Sequence, residues 1–163
     1  MIFITVGTHE QGLDRLLVEI DNLIERGIIC EEVFAQIGYS EYQPKHYDYK
    51  RMIGYDEVDS CIKNARIVIT HGGPGSIFQP LQYNKIPIVV PRDPEFSEHV
   101  DNHQILFARR LEKQNKIIAV YDIKRLEETI KDYDELIINF DIHSTGTEKF
   151  IKKFAELIDT KLF

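Results

Sequence analysis

The chain has no tryptophan, only two cysteines, no segment in which lysine and arginine accumulate, and no apolar run near the roughly 18 residues that a membrane span requires. Cys30 and Cys61 stand far apart and fit no C-x-x-C spacing, so neither a disulfide framework nor a zinc site is expected. They read as small buried hydrophobes in a reducing compartment, with the cytosol as the default. Acidic residues outnumber basic ones by 27 to 20, for a formal net charge of -7, which argues against broad nucleic-acid binding. The apolar start Met1 to Val6 is one strand long and lacks a basic leader, so it is not read as a signal peptide. Any membrane role is expected to come through a partner.

What remains is an ordinary globular composition, 43% hydrophobic over 163 residues with nine glycines and six prolines. A fold of this size hides about 70% of the surface its unfolded chain exposes, enough for one core without metal or disulfides. Strand-like and helix-like patterns alternate from end to end, the signature of β-α-β units around a parallel sheet. The reading is one doubly wound α/β domain, Rossmann-like, over residues 1–163, without repeat or linker.

Ile2 to Val6 is the first strand. Leu13, Leu16, Leu17, Ile20, Leu23 and Ile24 recur at helical spacing, and Gly27 marks the stop. Val33 to Ile37 is a second strand, Tyr39 to Tyr47 a polar Tyr-rich loop, and Tyr49 to Ile53 a third strand. Asp56 is the expected N-cap of a short helix. Arg66 to Thr70, an unalternated β-branched run, suits burial on both faces. A helix then runs to about Asn84, followed by the strand Pro87 to Val90, a loop to Glu98, a helix from about His99 to Glu112 and the strand Ile117 to Val120. Asp122 is expected to cap a helix bearing Leu126 and Ile130. A final helix carries Phe150, Ile151, Phe154 and Ile158 behind a capping box at Thr145 to Glu148.

In an open parallel sheet, ligands bind outside the carboxyl ends of the strands. The most informative turn there is Thr70-His-Gly-Gly-Pro-Gly-Ser76. Its glycines let backbone approach a bulky ligand, Ser76 with Gln79 fits a capping box, and free amides at a helix N-terminus favour a phosphate or pyrophosphate. A plain tight turn with a serine cap is the alternative. No G-x-x-x-x-G-K-[ST] or G-x-S-x-G is present, which removes the P-loop and hydrolase-elbow readings. Gly7 and Thr8 can present an amide and a hydroxyl to the same anion. His9 is a weak candidate for a general base or a phosphate contact, and Tyr55 for packing on a base or filling the core. His99 and His103, four apart on the expected helix, would share a face, but no third metal ligand is fixed by spacing, so no metal and no cofactor are expected.

Together, Ile69-Thr-His-Gly-Gly-Pro-Gly-Ser-Ile77, Lys85-Ile-Pro-Ile-Val-Val-Pro91, Glu98-His-Val-Asp-Asn-His-Gln104 and Val6-Gly-Thr-His9 resemble the donor-binding C-terminal half of two-domain GT-B glycosyltransferases. The resemblance covers nearly the whole chain. It is strongest to the small PssE or EpsF type subunits of bacterial exopolysaccharide transferases and to the small subunit of the split N-acetylglucosamine transferase of lipid-linked oligosaccharide assembly.

By similarity to the peptidoglycan transferase MurG, the resemblance implies that His71, Gly73, Gly75 and Ser76 face the diphosphate of a UDP-sugar, with Gly7 and Thr8 on the same cleft. It implies that the segment Ile53 to Tyr55 holds the uracil, and that His103 and Gln104 contact the sugar. The family's ribose-binding Glu falls on Gln79, which gives up a charge-assisted acceptor.

A two-domain transferase needs two such halves, and this chain supplies one. The resemblance therefore implies a separate membrane-associated subunit that binds a lipid-linked sugar acceptor and contributes the base, with this chain peripheral at the inner face of the membrane. The last amphipathic helix is a candidate docking element, and the isolated chain is a candidate for self-association. A noncatalytic activator subunit and a free-standing hydrolase or epimerase are the rival readings.

Overall fold

A computed structural model of the chain describes residues 1–140 and Lys153. Six parallel strands form one sheet: β1 (Ile2–Thr5), β2 (Val33–Gln36), β3 (Asp48–Lys50), β4 (Ile67–Thr70), β5 (Ile88–Val89) and β6 (Ile118–Ala119). Their order across the sheet is β3-β2-β1-β4-β5-β6. The chain winds outward from β1 in one direction and then returns to start again at β4, so the order reverses between these two strands, where an open α/β sheet has its ligand crevice. Register is continuous there, with Ile2 opposite Ile67 and Thr5 opposite Thr70.

Among the described residues, four α-helices lie between strands, α1 (Asp14–Glu25), α2 (Tyr55–Asn64), α3 (Pro74–Gln82) and α4 (His103–Lys113), and two follow β6, α5 (Leu126–Lys131) and α6 (Tyr133–Leu136). The sheet divides the core because successive strand residues point to opposite faces. Ile2, Ile4 and Val6 pack with Leu16, Leu17, Ile20 and Leu23 of α1 and with Leu126 and Ile130 of α5. Phe3 and Val68 point the other way, against Ile62 of α2. Val89 joins Ile77, Leu81, Ala108 and Leu111 of α3 and α4. Each such aliphatic chain, fully buried, contributes about 1.5–3 kcal/mol.

The helix α1 ends as expected: Arg26 is its C-cap and Gly27 adopts a left-handed φ of +71°. Several expectations are corrected. The third strand is Asp48–Lys50 rather than residues 49 to 53. Asp56 is not an N-cap, because Gly54 takes that place and Asp56 lies in the first turn of α2. The fourth helix starts at His103, not near His99. Asp122 does cap, its side chain accepting from the Lys124 amide, but it caps a 3-10 turn that leads into α5. Cys30 is exposed rather than buried. The expected last helix with its Phe stripe lies outside the described residues. Among the described residues no helix is long and apolar enough to cross a membrane.

Candidate functional site

The turn after β4 meets the turn after β1 at the switch point through one side chain, His71. Its ring occupies the space that a Cβ would need at Gly7, where the nearest ring atom would be 2.5 Å away, and also the space at Gly73. Gly7 moreover has a φ of +76°. Gly72 is filled in the same way by Gln104, whose Cβ would lie 2.7 Å from an added carbon. The first two glycines of the turn therefore make room for the protein's own His71 and Gln104. Gly75 alone is open, with nothing within 4 Å of a Cβ placed there.

Ser76 does not cap the helix. Gly73 is the N-cap of α3, Pro74 the first helical residue, and no side chain caps this end. The Ile77 amide donates to the Gly73 carbonyl at 3.1 Å. Pro74 has no N–H, so the amides of Gly75 and Ser76 are left without an intrahelical acceptor. An exposed turn with two free amides at the positive end of a nine-residue helix is suited to an anion.

Beneath this turn lies Arg92, fully buried. Its guanidinium donates to the carbonyls of Val6 at 2.6 Å, Gly12 at 2.9 Å and Glu98 at 3.2 Å, and to that of Gln11. Its Nε is buried without a partner. The loops after β1 and β5 are thus tied to one cation. Burial pushes the pKa of Arg92 down from its ordinary value, opposed by Glu98. The Glu98 carboxylate is committed elsewhere, to Arg15 Nε at 2.7 Å and the Asp93 amide at 3.0 Å. Burial, then Arg92, lowers the His71 pKa to about 4, so that ring is neutral at pH 7. His9 is lowered by the same two causes and by His99.

Gln104 is anchored rather than free. Its Oε1 accepts from the Gly72 amide at 3.0 Å and the Arg92 amide at 3.1 Å, joining the turns after β4 and β5. Only its Nε2 remains for a ligand. His103 and His99 do not share a helix face; Asp101 stands between them, 2.9 Å from His103 Nδ1 and 3.1 Å from His99 Nδ1. Among the described residues no cluster of three or more His, Cys, Asp or Glu side chains is arranged to hold a metal ion. Tyr55 opens α2 with its ring 72% exposed, whereas Ile53 packs partly into the Phe3 cluster. Gln79 lies on α3 with its Nε2 buried and unpartnered. Thr8 is exposed beside Gly7.

Sequence reasoning passed over Arg92 as well as the link between His9 and His99. The available signal for Arg92 was a lone cation directly after the apolar run Ile86 to Pro91.

The glycosyltransferase family 28 C-terminal domain model matches residues 1–160. The chain belongs to that family. It is 36% identical over 77 residues to the UDP-N-acetylglucosamine transferase subunit ALG13 of Candida albicans, a stretch that covers 47% of this chain and 25% of that protein. The chain thus matches about a quarter of the length of this curated relative. Its fold is also that of the calicheamicin glycosyltransferase CalG4 (TM-score 0.57, 13% identity, 93% of this chain and 36% of that one). MurG of Acinetobacter baumannii is similar as well (TM-score 0.54, 13% identity, 94% and 49%). The family 28 domain is accordingly a single Rossmann-like sheet of the GT-B C-terminal kind.

Proposed function

We propose that this domain binds the nucleotide-sugar donor of an inverting glycosyltransferase and works with an acceptor-binding half supplied by a second, membrane-associated polypeptide. The carrying observation is the open, uncapped start of α3 at the β1/β4 switch point, with the amides of Gly75 and Ser76 free and Gly7 and Thr8 alongside. Family membership supports the reaction class. The Candida relative, a UDP-N-acetylglucosamine transferase subunit, supports a UDP-sugar and a subunit arrangement. By the resemblance, exposed Tyr55 would meet the uracil, Gln79 the ribose, and His103 with Gln104 Nε2 the sugar hydroxyls.

In this reading the two amides hold the diphosphate, and the charge that grows on the departing UDP is stabilised by the helix terminus with Arg92 behind it. The partner's base takes the acceptor's proton and its face of the cleft brings a lipid-linked sugar, in exopolysaccharide or capsule assembly at the inner face of the membrane. Neutral His71 fills the turn and leaves the anion to the amides.

Calorimetric titration with UDP-glucose, UDP-galactose and UDP-N-acetylglucosamine tests the proposal. Saturable binding is expected, and so is its loss by at least about tenfold in Gly75→Asp. An Asp there meets no steric obstacle and favours the helix dipole, so folding is retained while the carboxylate takes the anion's place. Wild-type protein that binds none of the three, yet activates a partner transferase, would establish the noncatalytic subunit instead.

A further inference from the structure

The backbone places the proton on the His9 imidazole. Its Nδ1 accepts the Gln11 amide at 3.1 Å. A neutral imidazole carries a proton on one nitrogen and a lone pair on the other. A lone pair committed to Gln11 at Nδ1 therefore puts the proton on Nε2, for which no partner exists among the described residues. A general base would need the reverse, a bare Nε2.

The ring plane is fixed from the other side. The loop after β5 brings His99 against it, with ring centroids 4.9 Å apart and tilted by 34°. His99 is itself held through Nδ1, 3.3 Å from the Asp101 amide and 3.1 Å from Asp101 Oδ1. Asp101 also accepts the His103 amide at 3.0 Å, which anchors the support to the start of α4. Stacked rings pass no proton between them, so this is a support and not a relay. The charged and titratable groups around His9 are Arg92, His71, His99 and Glu10. Burial, then Arg92 and His99, opposes a charge on the ring, His71 is itself neutral, and only Glu10 favours a charge, so the neutral donor form prevails at pH 7.

We infer that His9 serves as a fixed Nε2–H donor to a phosphoryl oxygen of the nucleotide diphosphate, with His99 and Asp101 as positioning residues, and is not the reaction's base. This deepens the donor-binding reading and rests on it. The His71 ring lies against both Gly7 and Gly73, so the turn that carries His9 adjoins the turn that opens α3, and donors from both would serve one anion.

Imidazole proton–nitrogen correlation NMR on the full chain, free and titrated with UDP-glucose, provides the test. A UDP-sugar is the suitable probe because its diphosphate has no terminal phosphate monoester, the group whose second pKa is about 6. The expected result is His9 in the Nε2–H form near pH 7.5, with that proton shifting as the sugar nucleotide saturates. His9→Ala should weaken binding about tenfold and His9→Gln, which keeps an N–H donor, by no more than about threefold. His99→Ala should broaden or shift the His9 signal in the free protein, a response that a residue serving only to fold the loop would not give selectively.

An Nδ1–H form, or a His9 signal that stays still while UDP-glucose saturates, overturns the assignment and leaves donor binding intact. Should His9→Ala fail to fold, the wild-type spectra decide alone. Wild-type protein that binds no UDP-sugar overturns the donor reading and this assignment with it.

Discussion

The two ends of the parallel sheet are built differently. At the amino end the groups are paired: Arg66 reaches Glu31 and Asp134, Lys85 Nζ donates to the carbonyls of Lys63 and Ala65 at 2.6 and 2.5 Å, and the Tyr133 hydroxyl donates to Ile86 at 2.7 Å. At the carboxyl end, groups are left over. Among the described residues, the four buried side-chain atoms without a partner, on Gln11, Arg15, Gln79 and Arg92, belong to turns or helices that follow the strands there. The start of α3 is uncapped, and Tyr39, Met52, Tyr55, Phe96 and Val100 expose apolar surface. Closed polar pairs serve the fold alone, whereas unpaired donors and bare rings raise the free energy of the isolated domain and make sense where something else binds.

The largest test of that contrast is Arg92→Met. Four carbonyls lose a charged donor at once, and the loops after β1 and β5 lose their common tie. Urea unfolding should show a loss on the order of 3–5 kcal/mol. If the loss is below 1 kcal/mol, the buried cation is not what holds the crevice together and the contrast between the ends weakens.

Next in size is the pH dependence set by His71. The unfolded chain takes up this proton near the ordinary value of 6.5, the folded one only near about 4. Between those values the unfolded state binds more protons, so stability is complete above pH 6.5 and falls as the pH is lowered toward 4, by about 3 kcal/mol in all. Asp21 and Glu31 are held below their usual carboxylate values and so titrate at lower pH than most of this window. Denaturant midpoints measured at intervals from pH 7 to 4.5 should follow this curve, and His71→Gln should flatten it.

Much of this was readable in the chain itself. The β-branched run at Arg66 to Thr70, the helical spacing of α1 and the Gly27 stop depend on neighbours in sequence, and each fell where expected. The glycine-rich turn between a central strand and a helix was legible too, since it needs only local pattern. What the glycines are for was not. Gly73 gives way to His71 two residues earlier, but Gly7 gives way to the same ring 64 positions on, and Arg92 bonds a carbonyl 81 positions back. Such partners are set by topology and leave no period in the sequence. The helix starts shifted for a related reason: a free cap side chain competes with a Gly-Pro pair that already fixes the backbone, so Pro74 opened α3 and Ser76 was left in the first turn.

At the amino end, Lys85→Met should be milder than any of these changes. The ammonium satisfies two carbonyls at the end of α2, and burial lowers its pKa, so its removal should cost about 1–2 kcal/mol in thermal or urea unfolding. Nucleotide-sugar affinity should not change, because the substitution lies across the sheet from the crevice.

Smallest is Arg66→Ala. Its guanidinium contacts Glu31 and Asp134 at once, yet the three side chains are 40%, 27% and 71% exposed, so solvent screens the pairing and long side chains lose entropy to hold it. The change should cost less than about 1 kcal/mol at low salt, and the difference from wild type should all but vanish in 1 M salt, where the screening length is about 3 Å. The Arg92 effect should survive the same salt, because its partners are carbonyls in a site that ions do not enter. Two arginines that each make several bonds would then differ several-fold in effect, one sensitive to salt and the other not, and a matching pair of responses would show that the ends of the sheet are held by the same physics after all.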